Sequence, residues 1–366
     1  MRVEAKPIRA GCAGIETEPM NHDIRQIVAK RLHSEATRKQ VEFNSIASDA
    51  GLAQEVVDGY LRGTRELRWS EFVRICRAIY ADPMWLLSSD YQPSRLVYRN
   101  AAKARHEAAR IENTFILIHK ALPTRAEPPR KPSPRGDSPA ELLTGLNPIV
   151  HEFREEFGNV QELYKRHHLP VLGVNPKSDR DFDAFLVACQ ENYLVCVNLD
   201  VPDIRIEFSL LHEFAHFIFD ADQDIPIDIK ITGADLYDDK ISKEVKPEYV
   251  ANKFAQLWLV PFETAVEMEK VWPDTSACIS YIKEHQISPD VVANAIHDVV
   301  RFKSKTRISY AQIQDAIKSG ITQRVDRSEI KKFIDEETRA LRKYLTRYLE
   351  DAQEERRTEI LSAWGG

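Results

Sequence analysis

The stretch Phe208-Ser-Leu-Leu-His-Glu-Phe-Ala-His-Phe-Ile-Phe219 constrains this chain more than any other. Leu210, Leu211, Phe214, Ala215, Phe217, Ile218 and Phe219 make it apolar on nearly every side. That pattern predicts a helix buried all round. Inside it stand His212, Glu213 and His216. Residues i and i+4 of a helix share one face, a turn apart, so the two imidazoles can reach one metal ion. Glu213, beside the first ligand, can reach a water on that metal and act as its base. Polar groups inside such a helix cost stability unless they are satisfied, and a metal satisfies them. The competing reading, two core histidines that meet by chance, leaves the cost unanswered.

A catalytic zinc site uses three protein ligands and leaves the fourth position to water. The third ligand is expected downstream, in Pro247-Glu-Tyr-Val-Ala-Asn-Lys-Phe-Ala-Gln-Leu-Trp-Leu-Val-Pro261. Pro247 suits the first turn of a helix and Pro261 its end. Residues 250, 251, 254, 255, 257 and 258 give it an apolar face. Glu248 then lies near the helix start and is the preferred ligand. Glu244 competes, but it precedes Pro247, in an expected loop.

His-Glu-x-x-His in an apolar helix, followed by Glu248-x-x-Ala251-Asn252-x-Phe254-Ala255 and Leu-x-x-Pro261, resembles the ImmA/IrrE family of metallopeptidases. Tyr193–Asn198 and Arg205-x-x-Phe208 are similar to the strand and helix start that precede the motif in that family. The resemblance spans about 142 to 300. Ala215 stands where many members carry glycine, and the acidic segment 220–246 is long. The resemblance implies a zinc-dependent endopeptidase. His212, His216 and Glu248 hold Zn2+, Glu213 is the base, and the substrate is a protein, often a helix-turn-helix repressor in stress or prophage control.

A second module precedes it. Helices are expected from Ile24 to about Glu35, with Ile24, Ile27, Val28 and Leu32 on one face, then two short ones within 46–52 and 54–63, one over 69–80 and a last turn at 83–87. Gly51 makes the turn between the second and third. The run Arg62-Gly63-x-Arg65, a helix, and Trp85-Leu86-Leu87 resembles the XRE, lambda-repressor-like helix-turn-helix domain over 21–90. Ten Arg or Lys there balance ten Asp or Glu, so the module has no net pull on nucleic acid. Arg62, Arg65 and Arg68 are the candidate DNA contacts, whereas Glu55 and Asp58 would repel phosphate. Segment 91–135 holds ten basic residues against three acidic ones, a net +7 that could add phosphate contacts. A helix is expected over 99–122. Pro128-Pro129, Pro132 and Pro134 then predict a flexible, extended spacer.

Three short strands are expected at 170–174, 184–189 and 193–198, the last two as a hairpin. A strand beside the metal helix would let an extended peptide pair with it. Asp220-x-Asp222-x-Asp224 lacks the glycine and glutamate of a calcium loop and is expected to be a solvated acidic flap. His151-Glu152-Phe153-Arg154-Glu155 imitates the zinc motif but reads as an ordinary amphipathic helix, and His167-His168 as a helix end near the surface. His285, His297, Tyr237 and Tyr310 are candidates to stabilise an oxyanion. From Asp326 to Trp364 a charged helix carries Ile330, Ile334, Leu341, Leu345 and Tyr348 on one stripe, expected to pack on its own domain.

No apolar run reaches the ~18 residues of a membrane span. Residues 1–20 lack a continuous apolar core, so no secretory signal is expected. Five cysteines without a C-x-x-C pair predict reduced thiols in a cytoplasmic protein. The expected architecture is α+β and mostly helical. A five-helix module over 21–90 leads into a basic helix and Pro-rich linker over 91–138. A zincin-like domain with a small sheet follows over 139–300, then C-terminal helices over 301–366. The alternative function is a DNA-binding regulator, using residues 21–135, whose peptidase-like domain mainly senses a signal.

Overall fold

A computed structural model of the chain describes residues 22–39, 41–87, 91, 95–98, 115, 122, 126, 128–129, 131–175, 183–189, 192–220, 240–243, 245–302, 308–320 and 328–350. The chain divides into two units, Met1–Tyr91 and Gln92–Gly366. It is mostly helical, with one small sheet.

The first unit holds helices α1 (His22–Arg38), α2 (Phe43–Ala50), α3 (Gln54–Leu61), α4 (Trp69–Ala78) and α5 (Pro83–Leu87). Val28, Leu32 and Ala36, spaced four apart on α1, meet Ile46, Val57, Phe72, Ile75 and Leu86 in its core. Ile24 and Ile27 do not join them; they are 41% and 38% exposed. The buried stripe begins at Val28, although Ile24 lies on the same four-residue spacing one turn earlier. Gly51 turns the chain between α2 and α3 in the left-handed region, at φ 58°, where a side chain would be strained. Arg74 of α4 fastens that turn from below, donating Nε–H to the carbonyl of Ala50 at 2.7 Å.

The second unit is built around a four-stranded sheet of order β1-β3-β4-β2. Its strands are β1 (Arg95–Tyr98), β2 (Val171–Val174), β3 (Ala184–Cys189) and β4 (Asn192–Asn198). β3 pairs antiparallel with both β1 and β4, while β2 runs parallel to β4. The described residues of β3 and β4 are all buried, which explains their continuous apolar runs. β1 departs from the sequence reading, which placed only linker there. Of the helix expected over 99–122, only Phe115 and Leu122 are described; Phe115 is helical and fully buried.

The proline-rich stretch is not a free spacer. Ala126 lies in the core of the second unit. Lys131 pairs with Glu152 at 2.7 Å, Lys246 donates to the carbonyl of Gly136 at 2.8 Å, and Ile241 donates its N–H to Asp137 at 2.7 Å. Prolines that look like linker in composition serve here as extended chain laid on a surface.

Nine helices complete the unit among the described residues: α6 (Pro139–Phe157), α7 (Val160–Arg166), α8 (Asp203–Phe219), α9 (Lys246–Leu259), α10 (Phe262–Lys270), α11 (Ser276–His285), α12 (Pro289–Phe302), α13 (Tyr310–Ser319) and α14 (Ser328–Glu350). Ser138 caps α6 in a reciprocal capping box with Glu141, which satisfies two backbone N–H groups at once. α8 and α9 pack closely on one another, and α6 packs on α9. Phe214 sits where they meet, its ring 5.8 Å from Phe153 and 6.1 Å from Phe254. α14 lies against β2, its Ile330, Phe333 and Ile334 buried in the same core. The Thr338 hydroxyl accepts the N–H of Gly173 at 2.7 Å, so the helix covers part of the strand's open edge. Residues 351–366, including Trp364, lie outside the described residues.

Candidate metal centre

α8 begins behind Pro202, which cannot continue a strand and leads into Asp203. Arg205 in its first turn pairs with Asp183, at the start of β3, at 2.5 Å. That pair ties the helix to the sheet ahead of His212 and His216. From Ser209 to Phe219 every residue is buried. α9 carries Pro247 and Glu248 in its first turn, as proline's fixed φ favours. Glu248 therefore faces α8 from a defined helix start.

These two helices bring His212, His216 and Glu248 together, with one donor atom from each lying within 4.8 Å of the others. The Nε2 atoms of His212 and His216 stand 3.1 Å apart. Glu248 Oε2 lies 3.3 Å from His212 Nε2, and its Oε1 lies 3.2 Å from His216 Nε2. A tetrahedral shell about 2.0–2.1 Å from zinc puts neighbouring donors about 3.3–3.4 Å apart. The donor set has the chemistry of a metal site, and its spacing, measured to both oxygens of Glu248, is compatible with a cation. Glu244, the competing ligand, lies outside the described residues.

The electrostatics of the site call for positive charge at its centre. Burial opposes the charged form of His216, yet the Glu248 carboxylate and the hydrogen bond to Asp220 outweigh it and hold this imidazole well above its ordinary value. Burial pushes the Glu248 carboxyl up, but the charges of His216 and His212 pull it below the usual carboxylate range. Two imidazoles and a carboxylate with a shared focus need a cation there, a proton or a metal.

Asp220 corrects one expectation. The sequence placed it in a solvated flap; it is 6% exposed and lies 2.9 Å from His216 Nδ1. The signal that could have found it is the i+4 spacing that also links His212 to His216, extended by one turn. Asp222 and Asp224 lie outside the described residues.

Glu213 is fully buried on α8 beside the ligands. Tyr164, on α7, donates its hydroxyl to the carbonyl of Leu210 at 2.7 Å. Burial, and then the charge of Glu213, raises the pKa of this phenol well above its ordinary value. His167 and His168 follow the end of α7 as expected: His167 is its half-buried C-cap, with its ring 5.4 Å from Phe214 and 5.4 Å from Phe157, and His168 is exposed. Burial lowers the pKa of His167. His151 and Glu152 are exposed and Phe153 is buried, as an ordinary amphipathic helix requires. Of the oxyanion candidates, His297 places its ring 6.0 Å from Tyr310, and His285 lies 4.1 Å from Tyr281. Tyr237 lies outside the described residues. Cys76, Cys189, Cys196 and Cys278 are free and buried, and none belongs to the metal cluster.

Of the candidate DNA contacts in the first unit, only Arg65 turns inward. Arg65 makes a two-pronged pair with Glu71, with both N–H···O distances 2.9 Å. Arg62 pairs with Asp58 at 2.9 Å. Arg68 stays 68% exposed, its guanidinium 3.9 Å from Glu71. Glu71, six residues from Arg65, was not singled out in the sequence.

Comparison with protein-family models, curated proteins and solved structures gives no match to the chain. No helix among the described residues is long and apolar enough to cross a membrane.

Proposed function

We propose that this chain is a zinc-dependent endopeptidase of the ImmA/IrrE type joined to an N-terminal helix-turn-helix module. The observation that supports it most is the buried cluster of His212, His216 and Glu248, whose donor atoms stand pairwise 3.1, 3.2 and 3.3 Å apart. Zinc bound there supplies Lewis acidity and makes water a nucleophile at neutral pH. The chain's own residues do the rest. His212, His216 and Glu248 hold the ion. Glu213, one residue after His212 and not among the clustered donors, takes the proton from the attacking water. It then passes that proton to the leaving amine. The apolar side chains around it keep bulk water from competing for this carboxylate. The substrate is a protein, with a helix-turn-helix repressor as the leading class.

A second reading draws on one observation: His212, Glu213 and His216 are 0% exposed. A regulator whose peptidase-like domain only senses a signal would need no open path for a peptide. In that reading Arg62 and Arg68 contact DNA, the basic segment 91–135 adds phosphate contacts, and binding weakens with salt.

The test is to measure metal, stability and cleavage on one preparation. The intact protein should hold about one zinc per chain. Glu213→Gln should keep zinc and melting temperature but lose about 10²–10⁴ in cleavage of candidate repressors. Equal cleavage by both proteins removes the catalytic assignment. Zinc without cleavage in either leaves the sensing reading.

A further inference from the structure

Asp220 occupies a place that a carboxylate should avoid. It is the C-terminal cap of α8, where the helix dipole presents negative charge. It is also buried, its side chain 4% exposed, which adds a desolvation cost. Both penalties need an answer from positive charge nearby. What Asp220 touches is His216, and it touches it twice. Its backbone N–H donates to the His216 carbonyl at 2.9 Å, and its Oδ2 meets His216 Nδ1 at 2.9 Å.

A carboxylate oxygen only accepts, so the shared proton sits on Nδ1. That fixes the tautomer. The lone pair of His216 is left on Nε2, the atom that faces His212 and Glu248. The contact to Nδ1 also limits rotation of the imidazole about its side-chain bonds. A plain helix cap would use only the backbone contact, and a surface acid would use neither.

We propose that Asp220 is the positioning residue of the metal centre: it orients His216, raises its basicity as a ligand, and thereby sets how tightly the ion is held. This rests on the metal-binding reading of His212, His216 and Glu248. The carboxylate's charge is compensated through the imidazole by the cation on the far side. Outer partners of this kind are worth about 10–100-fold in metal affinity.

The experiment uses the full chain with zinc alone, in competition against a chromophoric chelator, and with cobalt(II) as a spectroscopic reporter. Asp220→Asn keeps the size and a hydrogen-bond acceptor but removes the charge, and Asp220→Glu restores the charge on a longer arm. Asp220→Asn should fold with unchanged far-ultraviolet dichroism and urea midpoint in the metal-free state. It should nonetheless bind zinc about 10-fold or more weakly, with a shifted cobalt visible spectrum. Asp220→Glu should recover part of the affinity. Wild type holding one zinc while Asp220→Asn matches it in affinity and cobalt spectrum would overturn the role of Asp220 and leave the metal centre standing. Wild type that takes up no zinc would overturn both.

Discussion

Removing the carboxylate of Asp298 should unfold the second unit more readily than any surface change could. Lys253, on the helix that carries Glu248, places Nζ 2.6 Å from Asp298 Oδ2 on α12. Gln256 joins both, donating to Asp298 at 2.7 Å and accepting from Lys253 at 2.9 Å. The two charged side chains are only 8% and 9% exposed. At that separation, with an effective dielectric constant of about 20, the attraction is about 6 kcal/mol. Desolvation of both charges offsets most of it. Asp298→Ala leaves the ammonium of Lys253 buried without its counter-charge, which costs about 3–5 kcal/mol. For a unit of this size the melting temperature should fall by about 6–20 °C. The double change Lys253→Met with Asp298→Leu removes both charges and should lie near wild type. Calorimetry and urea unfolding of the three proteins, at fixed zinc, measure this. A loss below about 1 kcal/mol for Asp298→Ala, or a double variant no better than the single one, would refute the reasoning.

Two further outcomes are expected. Glu35 of α1 is buried, which pushes its carboxyl up, but Arg38 and Lys39 outweigh that and hold it below its ordinary value of 4.5; Tyr91 also donates to it at 3.0 Å. The folded pKa being the lower one, this stabilisation is complete above about pH 4.5 and is lost as pH falls further. The hydrogen-exchange protection of α1, corrected for the intrinsic rate, should therefore fall in acid, and Glu35→Gln should flatten that response; parallel profiles would remove the ion pair as its cause. Gly173→Ala should destabilise the second unit by about 1–3 kcal/mol in thermal melts. A Cβ there would lie 2.8 Å from Leu199 and 2.9 Å from Ile334 of α14. An unchanged melting point would mean that α14 can withdraw.

What the sequence disclosed was what depends on near neighbours. His212 and His216 are tied by helix periodicity alone, and Pro247 marks the helix start that orients Glu248. The hairpin of β3 and β4 was legible because both strands are apolar runs close together in sequence. What stayed hidden depends on distant partners. β1 is four residues long, and its pairing partner lies some ninety residues on. Asp220 reads as loop chemistry until the imidazole beside it is known. The Pro-rich stretch has a linker's composition, and only Glu152, Ile241 and Lys246 reveal that it is docked. The inward pairing of Arg65 likewise depends on Glu71, placed by the start of α4.

β1 changes where this molecule can be divided. Composition invites a cut in the prolines, near residue 135, which would carry Arg95–Tyr98 away with the N-terminal piece. The remainder would keep β3 but lose its antiparallel neighbour, leaving a row of bare peptide groups along an apolar strand. Such an edge recruits strands from other molecules. A truncation made there should precipitate or form higher oligomers, whereas one beginning at Gln92 should stay dispersed. Activity measured on the shorter piece would then report aggregation rather than chemistry.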